Sequence, residues 1–334
     1  MAMRYGYKAS AEQFGTRRLL ELSLLAEWLG LQTVAVSDHF QPWRHSTGRA
    51  PAALTWLGAL AHASERTTIG TSVLTPTMRY QPAIVAQAFA SMADLAPGRV
   101  FLGVGTGEAM NESPATGAPW PGAKERRQRL EEAIALIRRL WTEERVDFDG
   151  EFYKTVRATV YERPPDPIPI YIAAAGPLAA RLVGRQGDGF ICTSGKPMEL
   201  YSELLGHVDS AAREAGRDPS SIENMIEIKV SYDTDLDAAE RACHWWGALG
   251  LSAEEKQGVE DPVEMERLAD QDASRASSRF IVSTDPDEVV ERIAPYVDLG
   301  FTHLLFHGPG DRQQRFLELF ARDVLPRLRD RFGE

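Results

Sequence analysis

The chain has 334 residues, 43% of them hydrophobic and 25% charged, an ordinary globular composition that admits two modest domains or one large α/β barrel. Its net charge of -11 argues against nucleic acid as the main partner, and any anion it binds must meet cations gathered locally. Cys192 and Cys243 form neither a metal-ligand spacing nor a disulfide framework, no apolar run reaches the ~20 residues of a membrane span, and the start carries no signal-peptide pattern. The expectation is a cytoplasmic protein without membrane partner or metal site.

In chain order, Arg4–Tyr7 reads as a first strand and Thr16–Leu29 as a helix, with Leu19, Leu22, Leu25 and Leu29 at helical spacing and Gly30 as its stop. Thr33–Ser37 is a second strand, Ala53–Ser64 a helix, and Thr68–Val73 a third strand. After a loop broken by Pro76 and Pro82 come a helix over Ala83–Leu95, a turn at Pro97-Gly98 and a fourth strand over Val100–Val104. Gly105–Asn111 opens a long loop to an amphipathic helix at Lys124–Trp141. Val146–Tyr153 reads as a β-hairpin turning at Asp149-Gly150, within an insertion of about 143–165.

Alternation resumes with strands at Ile168–Ala173 and Gly189–Thr193, each followed by a helix, from Pro177 and over Met198–Ala215. The seventh strand is Met225–Tyr232, with a helix over Asp235–Leu249. A charged, weakly patterned stretch of about 250–278 is long enough to be a functional insertion. A helix at Pro286–Leu299, an eighth strand at Thr302–His307 and a helix at Phe316–Phe332 complete the chain. Eight apolar strands alternating with helices predict a single (β/α)8 barrel. A doubly wound open sheet is the alternative, but Gly103-Val-Gly-Thr-Gly-Glu108 lacks the G-x-G-x-x-G spacing.

Barrel sites lie at the C-terminal strand ends. Those ends carry Asp38, His39 and Trp43; Thr75; Thr106, Gly107, Glu108 and Asn111; Ala175 and Gly176; and Thr193 and Lys196. His39 beside Asp38 has the chemistry of a proton-transfer group, although a loop histidine can also simply bond backbone. Glu108 is either a helix-start carboxylate or a ligand contact, and Trp43 either core or ligand-facing. Thr193-Ser-Gly-Lys196 suits a phosphate at a helix start, or is a plain capped start. Lys256 and Arg279 read on their own as surface charges.

Five segments resemble the bacterial luciferase-like superfamily, and within it the coenzyme F420-dependent glucose-6-phosphate dehydrogenases. They are Gly6–Phe14, Ser37-Asp-His-Phe-Gln-Pro-Trp-Arg-His45, Gly70–Thr77, Val100–Glu108 and Gly187–Lys196, with Met225–Lys229 and Leu304–His307 in support. The resemblance implies a luciferase-like TIM barrel that passes a hydride from C1 of glucose 6-phosphate to the deazaflavin coenzyme F420. It implies cofactor contacts at Asp38, Thr75, Thr106, Gly107, Asn111, Ala175, Gly176, Leu178 and Ala179, and a cis peptide at Ser72-Val73 behind the ring. It places the sugar phosphate on Thr193, Lys196, Lys256 and Arg279, with His39 taking the hydroxyl proton and Glu108 protonating the reduced ring, or the two roles exchanged, and with Trp43 and Glu12 shaping the sugar pocket. It also implies a homodimer. Ala175 in place of a second glycine and Gln257 in place of a histidine depart from the family pattern and bear on sugar selectivity. Other readings are an F420-dependent oxidoreductase of another alcohol or sugar phosphate, and a flavin-binding barrel without catalysis.

Overall fold

The computed structural model describes residues 2–256 and 258–334. The departure expected at Gln257 lies outside the described residues. The barrel strands are β1 (Arg4–Ala9), β2 (Thr33–Val36), β3 (Thr68–Thr71), β4 (Val100–Val104), β7 (Ile170–Ala173), β8 (Gly189–Thr193), β9 (Glu223–Tyr232) and β11 (His303–His307). They pair in parallel in that order, and β11 pairs back onto β1 to close the ring. The helices between them include α1 (Thr16–Trp28), α2 (Ala53–Ala63), α3 (Pro82–Leu95), α5 (Ala123–Thr142), α6 (Pro177–Gln186), α7 (Met198–Glu214) and α11 (Pro286–Asp298). Strand parity explains how one chain builds two cores. Val34 and Val36 face the helices, while Ala35 faces the barrel axis with Phe101, Tyr171, Ile191, Met225 and Leu305.

Four local readings change. The hairpin pairs β5 (Val146–Asp149) with β6 (Lys154–Ala158), so its return strand lies beyond the predicted segment. Glu132 accepts from the backbone N–H groups of Glu151, Phe152 and Tyr153 and holds the connection open. A short helix, α4 (Ala109–Thr116), starts at Glu108 where a loop was expected, and it contains Pro114. The helix after β9 breaks: α8 (Leu236–Cys243) gives way to a 3-10 segment at His244–Gly250. The closing helix begins earlier, as α12 (Gln313–Leu319), and runs through a π segment at Phe320–Val324 into α13 (Leu325–Phe332).

The late insertion is ordered by the barrel itself. Strand β9 is long enough to outrun the ring, and its last residues pair with an added strand, β10 (Ile281–Ser283). That pairing returns the chain at the mouth directly after Arg279. The insertion's helices α9 (Ala253–Lys256) and α10 (Pro262–Ala269) lie over the loop that leaves β2. Arg44 pairs with Glu266 at 3.1 Å and with Asp270 at 2.8 Å. The Glu266 carboxylate also accepts from the backbone N–H groups of His45 and Ser46. Trp43 and Met110 pack with Leu251 and Met265 of the insertion.

Candidate active site

A cavity of about 880 Å3 opens at the C-terminal end of the barrel. Of the seventeen residues expected there, all but Leu178 line it. Leu178 sits on the first turn of α6 with 57% of its surface exposed. The Ser72-Val73 peptide is cis, as the resemblance implied, and the Lys8 ammonium donates to the Ser72 carbonyl. The wall beside it is built from small side chains, Ala173, Ala174, Ala175, Gly176 and Ala179. Helix α6 starts at Gly176 with no side chain capping its free N–H groups. Gly107 has a φ of +79°, and a Cβ there would come within 2.9 Å of Thr75 and 3.2 Å of Trp120, so this turn requires glycine.

Two of the expected cofactor residues are structural partners within the protein. The Asp38 side chain is fully buried, pairs with Arg79 at 2.6 Å and accepts from the Tyr80 hydroxyl at 3.2 Å. Its remaining exposure therefore belongs to its backbone. Asn111 Oδ1 accepts from the N–H groups of Phe40 and Gln41 at 2.8 and 3.1 Å, while its Nδ2 donates to Glu108 at 3.3 Å. Asn111 thus fixes the path of the chain just after His39. Arg79 was not singled out in the sequence. It pairs with Asp38 and also lies 3.5 Å from Glu112 of α4, so it joins the loops of three strands.

The groups expected to exchange protons sit together. His39 Nδ1 lies 3.0 Å from Glu12 Oε1, with 16% and 5% of the two side chains exposed. Burial disfavours the imidazolium, but the adjoining Glu12 carboxylate outweighs it, with help from Glu108, and the ring is pushed up to about 9. At neutral pH His39 is therefore charged. Its ring is parallel to that of Trp43, with centroids 6.5 Å apart, and Trp43 Nε1 donates to Glu108 at 3.3 Å. The Lys256 ammonium lies 5.0 Å from the Trp43 ring centroid, a cation–π contact that brings the insertion onto the β2 loop.

Three cations line the cavity as well. Lys196, Lys256 and Arg279 line the same cavity, and none of them forms an ion pair among the described residues. Lys196 is lowered chiefly by Arg279. Lys256 is lowered by burial and by its neighbours Arg279, Lys196 and Lys229, against Glu108. Gly195, with a φ of +82°, lets Arg279 approach to 3.1 Å from where a Cβ would stand. One expectation needs correcting: the N–H groups of Gly195 and Lys196 are taken by the hydroxyls of Tyr296 and Tyr201, at 3.3 and 3.0 Å. These two amides are therefore not free to hold an anion.

The cavity floor is an ionic layer that the sequence reading missed. Glu227 lies 3.3 Å from Lys8, 3.2 Å from His307 and 3.6 Å from Lys229. The signal was present as two charges spaced i, i+2 in an otherwise apolar strand, which puts both inside the barrel.

The class of protein follows from this arrangement. The chain belongs to the luciferase-like monooxygenase family, whose model matches residues 3–303. It is 60% identical over 331 residues to the F420-dependent glucose-6-phosphate dehydrogenase of Beutenbergia cavernae, an alignment covering 98% of each chain. It is 57% identical over 331 residues to the enzyme of the same name from Intrasporangium calvum, covering 98% of this chain and 99% of that one. Among solved structures, an F420-dependent secondary alcohol dehydrogenase in complex with an F420-acetone adduct superposes with a TM-score of 0.92 at 33% identity, covering 99% of this chain and all of that one.

Proposed function

We propose that the chain is an F420-dependent glucose-6-phosphate dehydrogenase, which oxidises C1 of the sugar phosphate and yields 6-phosphogluconolactone and reduced F420. The observation that carries this reading is the unpaired cluster of Lys196, Lys256 and Arg279, lining one cavity with His39, Glu12 and Glu108. In a protein of net charge -11, such a cluster calls for an anionic ligand. A phosphate held there supplies binding energy far from the reacting carbon and orients it.

The cavity also fits the cofactor. A wall of alanines leaves room for a flat ring, and the uncapped start of α6 offers N–H groups to a phosphate on the cofactor's side chain. When bound, F420 supplies a hydride acceptor. Thr75, Thr106, Gly107, Ala175, Gly176 and Ala179 then hold the cofactor with the backbone of Asp38, while Asn111 shapes the loop beside it.

Two proton assignments were open, and the charged state of His39 favours one. An imidazolium at neutral pH is placed to donate, and Glu108, exposed and hydrogen-bonded by Trp43, to accept the proton of the anomeric hydroxyl. The cytoplasmic location and the homodimer belong to the same proposal.

The direct test is absorbance at the oxidised deazaflavin band after mixing with F420 and glucose 6-phosphate. Bleaching is expected, and its absence sinks the reading. The likeness to a secondary alcohol dehydrogenase supports one alternative, an uncharged alcohol as substrate. The cation cluster argues against it, and a faster reaction with 2-propanol than with the sugar phosphate would reverse that judgement.

A further inference from the structure

Lys229 is 3% exposed and lines the main cavity, yet its Nζ has no hydrogen-bond partner. Its nearest carboxylate oxygen, Glu227 Oε1, is 3.6 Å away. Both oxygens of that carboxylate are already occupied, Oε1 by His307 Nδ1 at 3.2 Å and Oε2 by Lys8 Nζ at 3.3 Å. Arg279 repeats the pattern on the same cavity: its Nε is buried without an acceptor. A buried cationic donor without an acceptor is costly, and two facing one cavity mark a place where an acceptor belongs. A neutral hydroxyl would fill a hydrogen bond but leave the charge. Lys229 and Arg279 repel one another, and Lys256 feels Lys229 as well, which an oxyanion relieves.

We propose that Lys229 is a fourth cationic ligand of the substrate phosphate, reaching it from the barrel wall while Lys196, Lys256 and Arg279 reach it from the loops. The proposal rests on the sugar-phosphate reading above and adds a residue from a strand interior to it. Such a ligand is held more rigidly than a loop lysine, and it ties phosphate recognition to the layer beneath the reacting groups.

The test compares wild type with Lys229→Met and Lys229→Gln, measuring KM for glucose 6-phosphate, KM for F420, kcat, and competitive inhibition by inorganic phosphate. In Lys229→Met the sugar-phosphate KM and the phosphate inhibition constant should rise together, by about tenfold to a hundredfold for a lost charge-assisted bond. The F420 KM and kcat should stay within a few-fold of wild type. Lys229→Gln, which keeps an N–H but no charge, should fall between the two and carries the test alone if Lys229→Met does not fold. A raised KM with unchanged phosphate inhibition would show that Lys229 holds a sugar hydroxyl, and no change in either would remove it from the site; both outcomes overturn the proposal. If the wild type turns over no sugar phosphate at all, the parent reading fails. Calorimetric binding of inorganic phosphate to wild type and to Lys229→Met then still decides whether Lys229 is an anion ligand.

Discussion

Two buried histidine–glutamate pairs border the same cavity and behave in opposite ways. His39 beside Glu12 is pushed up to about 9, whereas His307 beside Glu227 is pushed down by burial despite a separation of only 3.2 Å. The separation in each pair is nearly the same, 3.0 and 3.2 Å; the company of the carboxylate is not. Among the described residues Glu12 pairs with His39 alone. Glu227 is shared with Lys8 and Lys229, whose charges also repel a proton on His307. At the other end of the barrel His303 repeats the second case: burial lowers it although Glu223 is 3.3 Å away, because Arg4 already claims that carboxylate. A buried histidine beside a glutamate is thus charged only where the glutamate has no better cation to serve. In this barrel that condition singles out His39, the residue to which the proposed function gives proton chemistry.

The strongest way to break the comparison is to remove its active member. His39→Asn should lower kcat by about a hundredfold or more, in the range of a lost general acid or base, while F420 binding measured by titration survives. A kcat near wild type would take His39 out of the chemistry. Glu12→Gln is subtler. Without its carboxylate the ring falls back toward its ordinary value, because burial is then opposed only by the weaker pull of Glu108. At pH 8 a ring with a value near 6.5 is only about 3% charged, so an enzyme that uses His39 as donor should lose about thirtyfold in kcat/KM there and much less at pH 6. In the wild type the same rate should fall as pH climbs through about 9. A rate that instead rises with pH across that range would make His39 the acceptor and exchange its role with Glu108.

The barrel, its eight strands and the strand-end residues were legible in the sequence, because strand and helix periods alternate cleanly and barrel sites occupy one face. Less legible was anything that depends on who competes for a partner. Asp38 and Asn111 were correctly placed at the cavity, but the chain gives no local sign that Arg79 occupies one carboxylate and two backbone amides the other amide. The amides of Gly195 and Lys196 looked free because the tyrosines that use them, Tyr201 and Tyr296, are five and about a hundred residues away. The β10 strand was missed because three residues carry no periodicity; it exists only because β9 outruns the ring. Lys229 alone left a readable trace, a charge at strand parity inside an apolar run, and parity is a signal that an inspection of strand ends passes over.

The smallest expected effect tests the cause of the difference rather than its consequence. Lys8→Met removes one of the two lysines that share Glu227, and with it one charge that repels a proton on His307. His307 should then become more basic, approaching the behaviour of His39, which NMR titration of its ring signals would register as a midpoint at higher pH than in wild type. The same change has a sign in stability. His303 and His307, being lowered, stabilise the fold above the ordinary histidine value, and that contribution is lost as pH falls through their folded values. His39, being raised, contributes fully below the ordinary value and loses its share as pH rises through about 9. In Lys8→Met the His307 part of the acid-side loss should shrink, even though the loss of the ion pair to Glu227 lowers stability at every pH. Denaturant midpoints at pH 5 and 7 would therefore lie closer together in the variant than in wild type. Midpoints equally far apart, with an unmoved His307 titration, would mean that burial and Lys229 keep His307 neutral and that Lys8 is not what separates the two pairs.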